Sequence, residues 1–190
     1  MIETGRLIIT ELTMDMVQDV HRNSLDADNR RFVPDEVFET PEEAREAVAY
    51  LISRYGAPDG PKVYAVVTKA DRRNTGYVQM VPMEDGNWEI GYHIGAEYTG
   101  NGYATEAVKA FLPVMSEQLG IREVYGICLK ENAASCRVLE KCGFERLFTG
   151  NGNYQGQRRE IVRSIWNQNC REKPIANGKE AMIESACNEE

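Results

Sequence analysis

The hydrophobic pattern of this chain changes its period several times, and each change marks a predicted element. The sharpest signal is strict alternation between residues 88 and 94, which is typical of a β-strand. It puts Trp88, Ile90, Tyr92 and Ile94 on one face and Glu89, Gly91 and His93 on the other. Six further runs rich in β-branched and apolar residues predict strands at 6–12, 63–67, 76–81, 123–129, 144–148 and 159–166.

Helical spacing predicts four helices. After Gly102 the apolar residues recur at intervals of three and four as far as Leu119. The other predicted helices cover residues 14–21, 41–54 and 132–143, whereas the polar stretch 23–34 is predicted to be irregular. The order β-α-α-β-β-β-α-β-α-β-β predicts an α/β protein of the α+β type, with an antiparallel meander in a sheet of about seven strands flanked by about four helices.

The size of the chain indicates one domain. With 190 residues and 42% hydrophobic content it has enough apolar residues for a single core. We expect that domain to span residues 1–166. Residues 167–190 are polar and predict a C-terminal tail, in which residues 181–183 favour a short docked helix.

Charge and composition make nucleic acid, a membrane and a metal ion unexpected as binding partners. Lys and Arg number 22 against 30 Asp and Glu, so a basic surface for nucleic acid is not expected. No run approaches the roughly 18 apolar residues that a membrane helix needs, and the first residues do not resemble a signal peptide. We therefore expect a cytoplasmic protein without a membrane partner. Five cysteines without C-x-x-C spacing and only two histidines predict reduced thiols and no metal site.

The segment from Tyr98 to Ala107 carries the first chemical signal. It lies between a predicted strand and a predicted helix, and Gly100 and Gly102 allow the backbone to turn its amides inward. Together with the positive end of the helix, these amides predict a site for a phosphate group. The turn lies in mid-chain and has Thr105 where a dinucleotide fingerprint requires its third glycine, which disfavours a nicotinamide cofactor.

The same turn resembles the motif Q/R-x-x-G-x-G/A of the GCN5-related N-acetyltransferase (GNAT) family. The matching residues are Thr99-Gly100-Asn101-Gly102-Tyr103-Ala104, with Thr99 in place of the more usual Gln or Arg. Three further segments are similar to the branch of the family that acetylates ribosomal-protein N-termini: Glu3-Thr4-Gly5-Arg6-Leu7-Ile8-Ile9, Gly102 to Ala107, and Asn132-Ala133-Ala134-Ser135 followed by Gly143-Phe144. The resemblance covers about residues 3 to 166.

The resemblance implies a mixed, mostly antiparallel sheet whose fourth and fifth predicted strands splay apart in a V. It also implies that acetyl-CoA binds in this gap as a co-substrate, and that an acetyl group passes to a primary amine, a protein N-terminus or a small amine, by direct attack in a ternary complex. The residues that would bind acetyl-CoA are Tyr92, His93, Ile94, Thr99, Gly100, Asn101, Gly102, Tyr103, Ala104, Thr105, Asn132 and Ser135.

Two residues are the candidate catalytic groups. Glu89 is the leading base for removing a proton from the acceptor ammonium, with His93 as the alternative. Ser135 is the candidate acid for the departing thiolate. Many family members use a Tyr seven residues after the Asn, but that position holds Leu139. Tyr103, Tyr154 or unassisted departure of the thiolate are the other routes, and Cys128, Cys136 and Cys142 are weaker candidates as nucleophiles.

Two other functions stay open at this point. A CoA-binding regulatory module with reduced catalysis is compatible with Thr99 and Leu139, and a nucleotide-binding oxidoreductase is a weaker alternative. The acceptor is expected to lie against residues 23–40 and 149–157. This region contains acidic residues that either line a binding site for a cationic acceptor or form a solvated acidic loop. They are Asp26, Asp28, Asp35, Glu36 and Glu39. We expect a monomer or a homodimer.

Overall fold

One mixed sheet organises the molecule, which we describe from a computed structural model over residues 1–57 and 59–168. The strands are β1 (Ile2–Glu3), β2 (Leu7–Glu11), β3 (Lys62–Thr68), β4 (Asn74–Pro82), β5 (Trp88–Ile94), β6 (Glu123–Leu129), β7 (Glu145–Tyr154) and β8 (Gln157–Asn167). They lie in the order β1-β2-β3-β4-β5-β6-β8-β7, and neighbours are antiparallel except for β5 and β6. The predicted tail helix at 181–183 lies outside the described residues.

Five α-helices accompany the sheet. They are α1 (Val17–Ser24), α2 (Ala27–Phe32), α3 (Pro41–Arg54), α4 (Tyr103–Leu119) and α5 (Ala133–Lys141), and three 3-10 turns lie at 14–16, 34–36 and 96–98. The predicted α/β fold is confirmed. The expected seven strands and four helices are close to the eight strands and five helices that the described residues form, because β1 contains only two residues and was not recognised.

The prediction of irregular chain at residues 23–34 is wrong, because α2 lies there. Side-chain hydrogen bonds stabilise this helix instead of an apolar stripe. Asp26 caps it by accepting a hydrogen bond of 2.7 Å from the backbone N–H of Asn29. Asn29 is 1% exposed and donates to the carbonyls of Ser24 and Glu36 at 2.9 and 3.0 Å. A six-residue helix held in this way shows no hydrophobic period.

The last two strands extend further than predicted. β7 continues to Tyr154 and meets β8 at Gln157 through a turn of two residues. Both turn residues, Gln155 and Gly156, have positive φ angles of 48° and 74°, the backbone that tight hairpins require. The segment 149–157 therefore forms the paired end of the hairpin between β7 and β8, and Tyr154 in it contacts the Phe32 carbonyl.

Two apolar layers cover the sheet. One packs around α4 and contains Phe111 at 0% exposure and Ile90 at 3%. The other lies under α1 and α3 and contains Val17 and Val48. The alternation predicted for β5 is confirmed, since Trp88, Ile90, Tyr92 and Ile94 all belong to the α4 layer. Burying these side chains against both faces supplies the main stabilisation of the fold.

The parallel pair β5 and β6 positions the candidate site. Their register consists of a single residue pair, Glu89 with Tyr125, whereas β4 and β5 share seven pairs. Beyond Glu89 the two strands diverge, and none of the described strands pairs with the rest of the β5 edge that faces β6. The gap is the V-shaped splay that the resemblance implied.

Candidate active site

A cleft of about 430 Å³ opens where β5 and β6 diverge. One side is the β5 segment from Glu89 to Ile94, and the opposite side is β6 with the beginning of α5. Segments that are remote in sequence complete the wall, among them Asp26, Asp28, Phe32, Val33, Glu36, Asn153, Tyr154 and Gln155. The two segments predicted to contact the acceptor therefore do line this cleft.

The glycine turn lies at one end of the cleft, where Thr99 and Ala104 contribute to its wall. Gly100 and Gly102 have φ angles of 78° and 79°, a conformation that an L-residue adopts only with strain. A Cβ at Gly100 would meet nothing within 4 Å, so the backbone angle and not crowding calls for glycine. The first intrahelical bond runs from Glu106 N–H to the Gly102 carbonyl at 3.0 Å, which leaves the amides of residues 103–105 free of helical partners.

The N-terminal segment fastens this turn to the sheet. The Arg6 guanidinium contacts the Glu106 carboxylate at 2.6 Å and donates to the Asn101 carbonyl at 2.9 Å. Thr4 donates its hydroxyl to Glu106 at 2.5 Å. Partial burial acts to raise the pKa of Glu106, but hydrogen bonds from Thr4 and Arg6 outweigh it and hold the pKa below its usual range. Thr4 and Arg6 thus act together as a brace for the turn.

Ser135 lies opposite β5, in the first turn of α5. Its backbone N–H donates to the side chain of Asn132 at 3.0 Å, so Asn132 caps α5. Its hydroxyl lies 2.9 Å from the Tyr92 hydroxyl, which also donates to the Ser135 carbonyl at 3.0 Å. Burial raises the pKa of Tyr92 far above its usual value, so this phenol stays protonated. The sequence singled out only the backbone of Tyr92, and nothing in it indicated this side-chain contact.

Glu89 lies at the fork of the V on the face opposite to Tyr92. Its side chain is half-buried in the cleft wall. Burial raises the pKa of Glu89 from 4.5 to about 7, even though the Ile127 N–H and the charge of Arg163 act in the opposite direction. A carboxyl group with this pKa exchanges its proton readily at neutral pH.

His93 is engaged by two oxygen atoms. Its Nε2 lies 3.1 Å from the Asp26 carboxylate and 3.1 Å from the Asn23 carbonyl. Burial acts to raise the pKa of Asp26, but its hydrogen bonds to His93 and to backbone amides lower it overall. The His93 ring thus connects β5 to the start of α2, and its Nε2 has partners within the protein.

Of the two tyrosines considered as alternative proton donors to the thiolate, only Tyr154 lines the cleft. Tyr154 lines the cleft and donates its hydroxyl to the Phe32 carbonyl at 3.0 Å, and burial raises its pKa to about 12. Tyr103 is not part of the described cleft wall and stacks under Arg6, whose guanidinium lies 4.8 Å from the ring centre. Leu139 is 2% exposed and packs directly over Gly126, where a Cβ would lie 2.5 Å from it.

The described wall of the cleft is acidic. Four carboxylates contribute to its described wall, from Asp26, Asp28, Glu36 and Glu89, together with neither Lys nor Arg. Glu36 accepts hydrogen bonds from the Tyr77 hydroxyl and, at 3.1 Å, from the Gln79 amide. The other two acids named from the sequence, Asp35 and Glu39, lie outside the described wall, and Glu39 pairs with Arg30. The surroundings favour a cation.

Cys128 and Cys142 are unsuited to nucleophilic attack. Cys128 lines the cleft, and its Sγ lies 3.3 Å from that of Cys136. Burial raises the pKa of Cys128 to about 12, so the reactive thiolate is scarce at neutral pH. Cys142 is 1% exposed and donates to the Thr105 carbonyl.

Two further properties concern the described ranges 1–57 and 59–168 only. No group of three His, Cys, Asp or Glu side chains there is arranged to hold a metal ion. None of the helices in these ranges combines the length and the apolar character needed to cross a membrane.

The fold and the cleft agree with a family assignment. A model of the acetyltransferase (GNAT) domain matches residues 6–145 of the 190. The chain therefore belongs to the GNAT acetyltransferase family and is an acetyl-CoA-dependent N-acetyltransferase. This confirms the predicted family and the predicted transfer of an acetyl group from acetyl-CoA to an amine.

Individual relatives are distant. The uncharacterized N-acetyltransferase YnaD of Bacillus subtilis is 27% identical over 146 residues, which cover 76% of this chain and 82% of that protein. Among solved structures, a GNAT-family acetyltransferase from Bacillus anthracis superposes with a TM-score of 0.75 at 24% identity, covering 88% of this chain and 98% of its own. RimL, a ribosomal L7/L12 alpha-N-protein acetyltransferase solved in complex with coenzyme A, has a TM-score of 0.74 at 19% identity over 86% of this chain and 95% of its own. These structures share the fold.

Proposed function

We propose that the enzyme acetylates a primary amine, a protein N-terminus or a small amine, by direct attack on acetyl-CoA, with Glu89 as the base and Ser135 as the acid. The observation that carries this proposal is the half-buried Glu89 carboxyl, which has a pKa of about 7 and lies in the wall of an acidic cleft. An amine is mostly protonated at neutral pH, so a group that accepts its proton is required.

The residues named from the sequence fit the donor. The free amides at 103–105 and the Gly100–Gly102 turn provide hydrogen-bond donors and the positive end of α4 for a pyrophosphate. The unpaired edge of β5 at Tyr92, His93 and Ile94 presents backbone groups to the pantetheine amides. A backbone N–H on this edge can also donate to the thioester oxygen as negative charge develops there.

The acid role rests on Ser135 together with Tyr92. The hydrogen bond between the Ser135 and Tyr92 hydroxyls positions Ser135 in the cleft wall, where it gives its proton to the departing thiolate and recovers one from solvent. This pair takes the place of the more usual Tyr, whose position holds the buried Leu139. His93 is less suited to act as the base because its Nε2 already faces Asp26 and Asn23.

The remaining expectations belong to the same proposal. Residues 1–166 form the acetyltransferase domain, and the enzyme works in the cytoplasm as a monomer or homodimer. A protein N-terminus as the acceptor is supported by the branch-like segments at 3–9 and 132–144. Cell fractionation and light scattering test the location and the oligomeric state.

Thiol release from acetyl-CoA, measured on a panel of amines and peptides, tests the function. We expect release with at least one acceptor, and a loss of that release in Glu89→Gln with unchanged CoA affinity. Glu84→Gln, which changes an exposed acid just before β5, is the matched control. If the wild type binds CoA but releases no thiol with any acceptor, the proposal is overturned. The alternative, a CoA-binding regulatory module with reduced catalysis, is then favoured.

A further inference from the structure

A second cavity lies behind the cleft, between the sheet and helices α1 and α3. Its volume is about 240 Å³. Apolar surface dominates its wall, and Leu12, Val20, Phe38, Ala47, Val48, Leu51 and Val63 contribute to it beside the polar Asn23, Ser24, Asn29 and Asn74. We call the space bounded by these residues the α3 chamber. Tyr50, which is exposed, also lines this space, so the pocket opens to solvent and a small molecule can enter it.

A thin partition of side chains separates the α3 chamber from the cleft. Four residues line both spaces: Glu36, Tyr77, Gln79 and His93. The Glu36 carboxylate joins the partition by accepting hydrogen bonds from Tyr77 and Gln79. Glu36 belongs to the short turn at 34–36 and not to the sheet. Because these four residues face both spaces, the α3 chamber and the cleft adjoin each other along this wall.

The partition lies close to the proposed base. Gln79 is paired with Gly91 across β4 and β5, and Val81 is paired with Glu89. Gln79 and Glu89 are thus diagonal neighbours on one face of the sheet, a separation of about 7–8 Å that one small molecule spans. An amine near Glu89 therefore lies at the entrance to the α3 chamber.

The chemistry of the two spaces is complementary. The cleft side carries carboxylates without Lys or Arg in its described wall, whereas the α3 chamber is lined mostly by aliphatic and aromatic carbon. A molecule that fits both has a cationic amine at one end and an apolar group at the other. Burial of apolar surface in the chamber then strengthens binding by about fourfold for each methylene group.

We propose that the α3 chamber binds the apolar group of the acceptor, and that Glu36 holds the acceptor ammonium beside it. The preferred acceptors are then primary amines that bear a branched aliphatic or aromatic group. This inference rests on the proposed function, since it takes the amine as the acetyl acceptor. It names the class of acceptor that the cleft alone leaves open.

A matched pair of acceptors tests the chamber. Ethylamine and 3-methylbutylamine have the same reacting group and differ by three carbons. We expect kcat/KM, measured by thiol release, to be at least about tenfold higher for 3-methylbutylamine. A ratio near one in the wild-type enzyme would overturn the proposal.

A pair of substitutions on α3 locates the effect. Ala47 lines the α3 chamber, whereas Ala49 lies on the exposed face of the same helix. We expect Ala47→Phe to fill the chamber and bring the ratio for the two amines to near one, while Ala49→Phe leaves it at the wild-type value. Equal ratios in the two variants, with both folded and binding CoA, would overturn the chamber as the site.

Glu36→Gln tests the second half of the proposal. The amide keeps the shape and the hydrogen bond from Tyr77 but removes the charge. We expect KM for both amines to rise by about tenfold with little change in kcat or in the ratio between them. An unchanged KM would remove Glu36 from the acceptor site.

Failure of this inference is distinguishable from failure of the proposed function. The absence of thiol release with every acceptor refutes the function, whereas release without preference refutes only the chamber. Binding provides a readout that does not depend on activity: 3-methylbutylamine should raise the Tm of the wild type more than ethylamine does, and not that of Ala47→Phe. Equal Tm shifts of the wild type with the two amines would contradict the proposal, because they would show that the α3 chamber does not bind the apolar group.

Discussion

The guanidinium of Arg6 lies 2.6 Å from the carboxylate of Glu106, across 100 residues of sequence. The contact joins the residue just before β2 to the first turn of α4, next to the glycine turn. Since Arg6 also donates to the Asn101 carbonyl, one side chain reaches both the helix and the turn. The N-terminal segment is therefore part of the proposed CoA site although it does not line the cleft.

The brace leads to a prediction about CoA affinity. Arg6→Ala removes the contacts to Glu106 and Asn101, so the turn loses part of its preorganisation. The ion pair is partly exposed, and its loss should cost about 1 kcal/mol, which corresponds to a rise in the Kd for CoA of about fivefold. Isothermal titration with CoA measures this change.

A matched arginine controls for the loss of charge. Arg146 pairs with Glu140 at 2.9 Å on the surface of α5, away from the turn. Arg146→Ala should leave CoA affinity unchanged. An Arg6→Ala variant with wild-type affinity would show that the brace has no part in CoA binding.

The pH dependence of the reaction follows from Glu89. Its pKa is about 7, so the basic form predominates above pH 7 and disappears below it. We expect kcat/KM to fall as the pH drops through about 7, and Glu89→Gln to lower it by about 10²- to 10⁴-fold. A pH profile of the variant that keeps the step near pH 7 would assign the base to another group.

The same carboxyl links pH to stability. Between its ordinary pKa of 4.5 and about 7, the folded state holds more of this proton than the unfolded state does. The free energy of unfolding therefore falls as the pH rises through this window. Glu89→Gln should be more stable than the wild type at pH 8, by about 1–2 kcal/mol, and lose this advantage near pH 4. Urea unfolding at both values measures the difference.

The contact between Tyr92 and Ser135 predicts coupled effects. Ser135→Ala and Tyr92→Phe each break the 2.9 Å hydrogen bond between the hydroxyls. Each should lower kcat by about tenfold, and the double variant by little more, because the two groups act together. Additive losses would show that they act separately. Ser53→Ala, at an exposed position of α3, is the matched control for Ser135→Ala.

Direct attack predicts that no acetyl group is transferred to the enzyme. Burial raises the pKa of Cys128 to about 12, so this thiol is a poor nucleophile. Cys128→Ala should retain kcat within about twofold while losing about 1–2 kcal/mol of stability from the cavity it leaves. Intact mass after incubation with acetyl-CoA should be unchanged. An added acetyl mass that Cys128→Ala abolishes would support a covalent intermediate instead.

Several parts of the fold could be predicted from local pattern. The alternation at residues 88–94 predicted β5 and its faces, because a strand places successive side chains on opposite sides whatever it packs against. The helix predicted at residues 41–54 coincides with α3, which begins with a capping box formed by Thr40 and Glu43. Such signals are contained within a few neighbouring residues.

Helix α2 could not be predicted in this way. Its stability depends on Asn29 reaching the carbonyls of Ser24 and Glu36, and on Asp26 meeting both Asn29 and His93. These bonds need the chain to return on itself and to contact β5. A polar stretch without apolar period therefore predicted an irregular segment, and the tertiary contacts decided otherwise.

The sequence by itself determined the family, the donor and the glycine turn, because these depend on backbone angles and spacings that short motifs specify. Only the tertiary structure decided which side chains meet in the cleft. It brought Ser135 to Tyr92, gave Glu89 its half-buried position and set Glu36 between the cleft and the α3 chamber. The physical reason is that burial, pKa and side-chain contacts arise from elements far apart in the chain, whose packing no local pattern records.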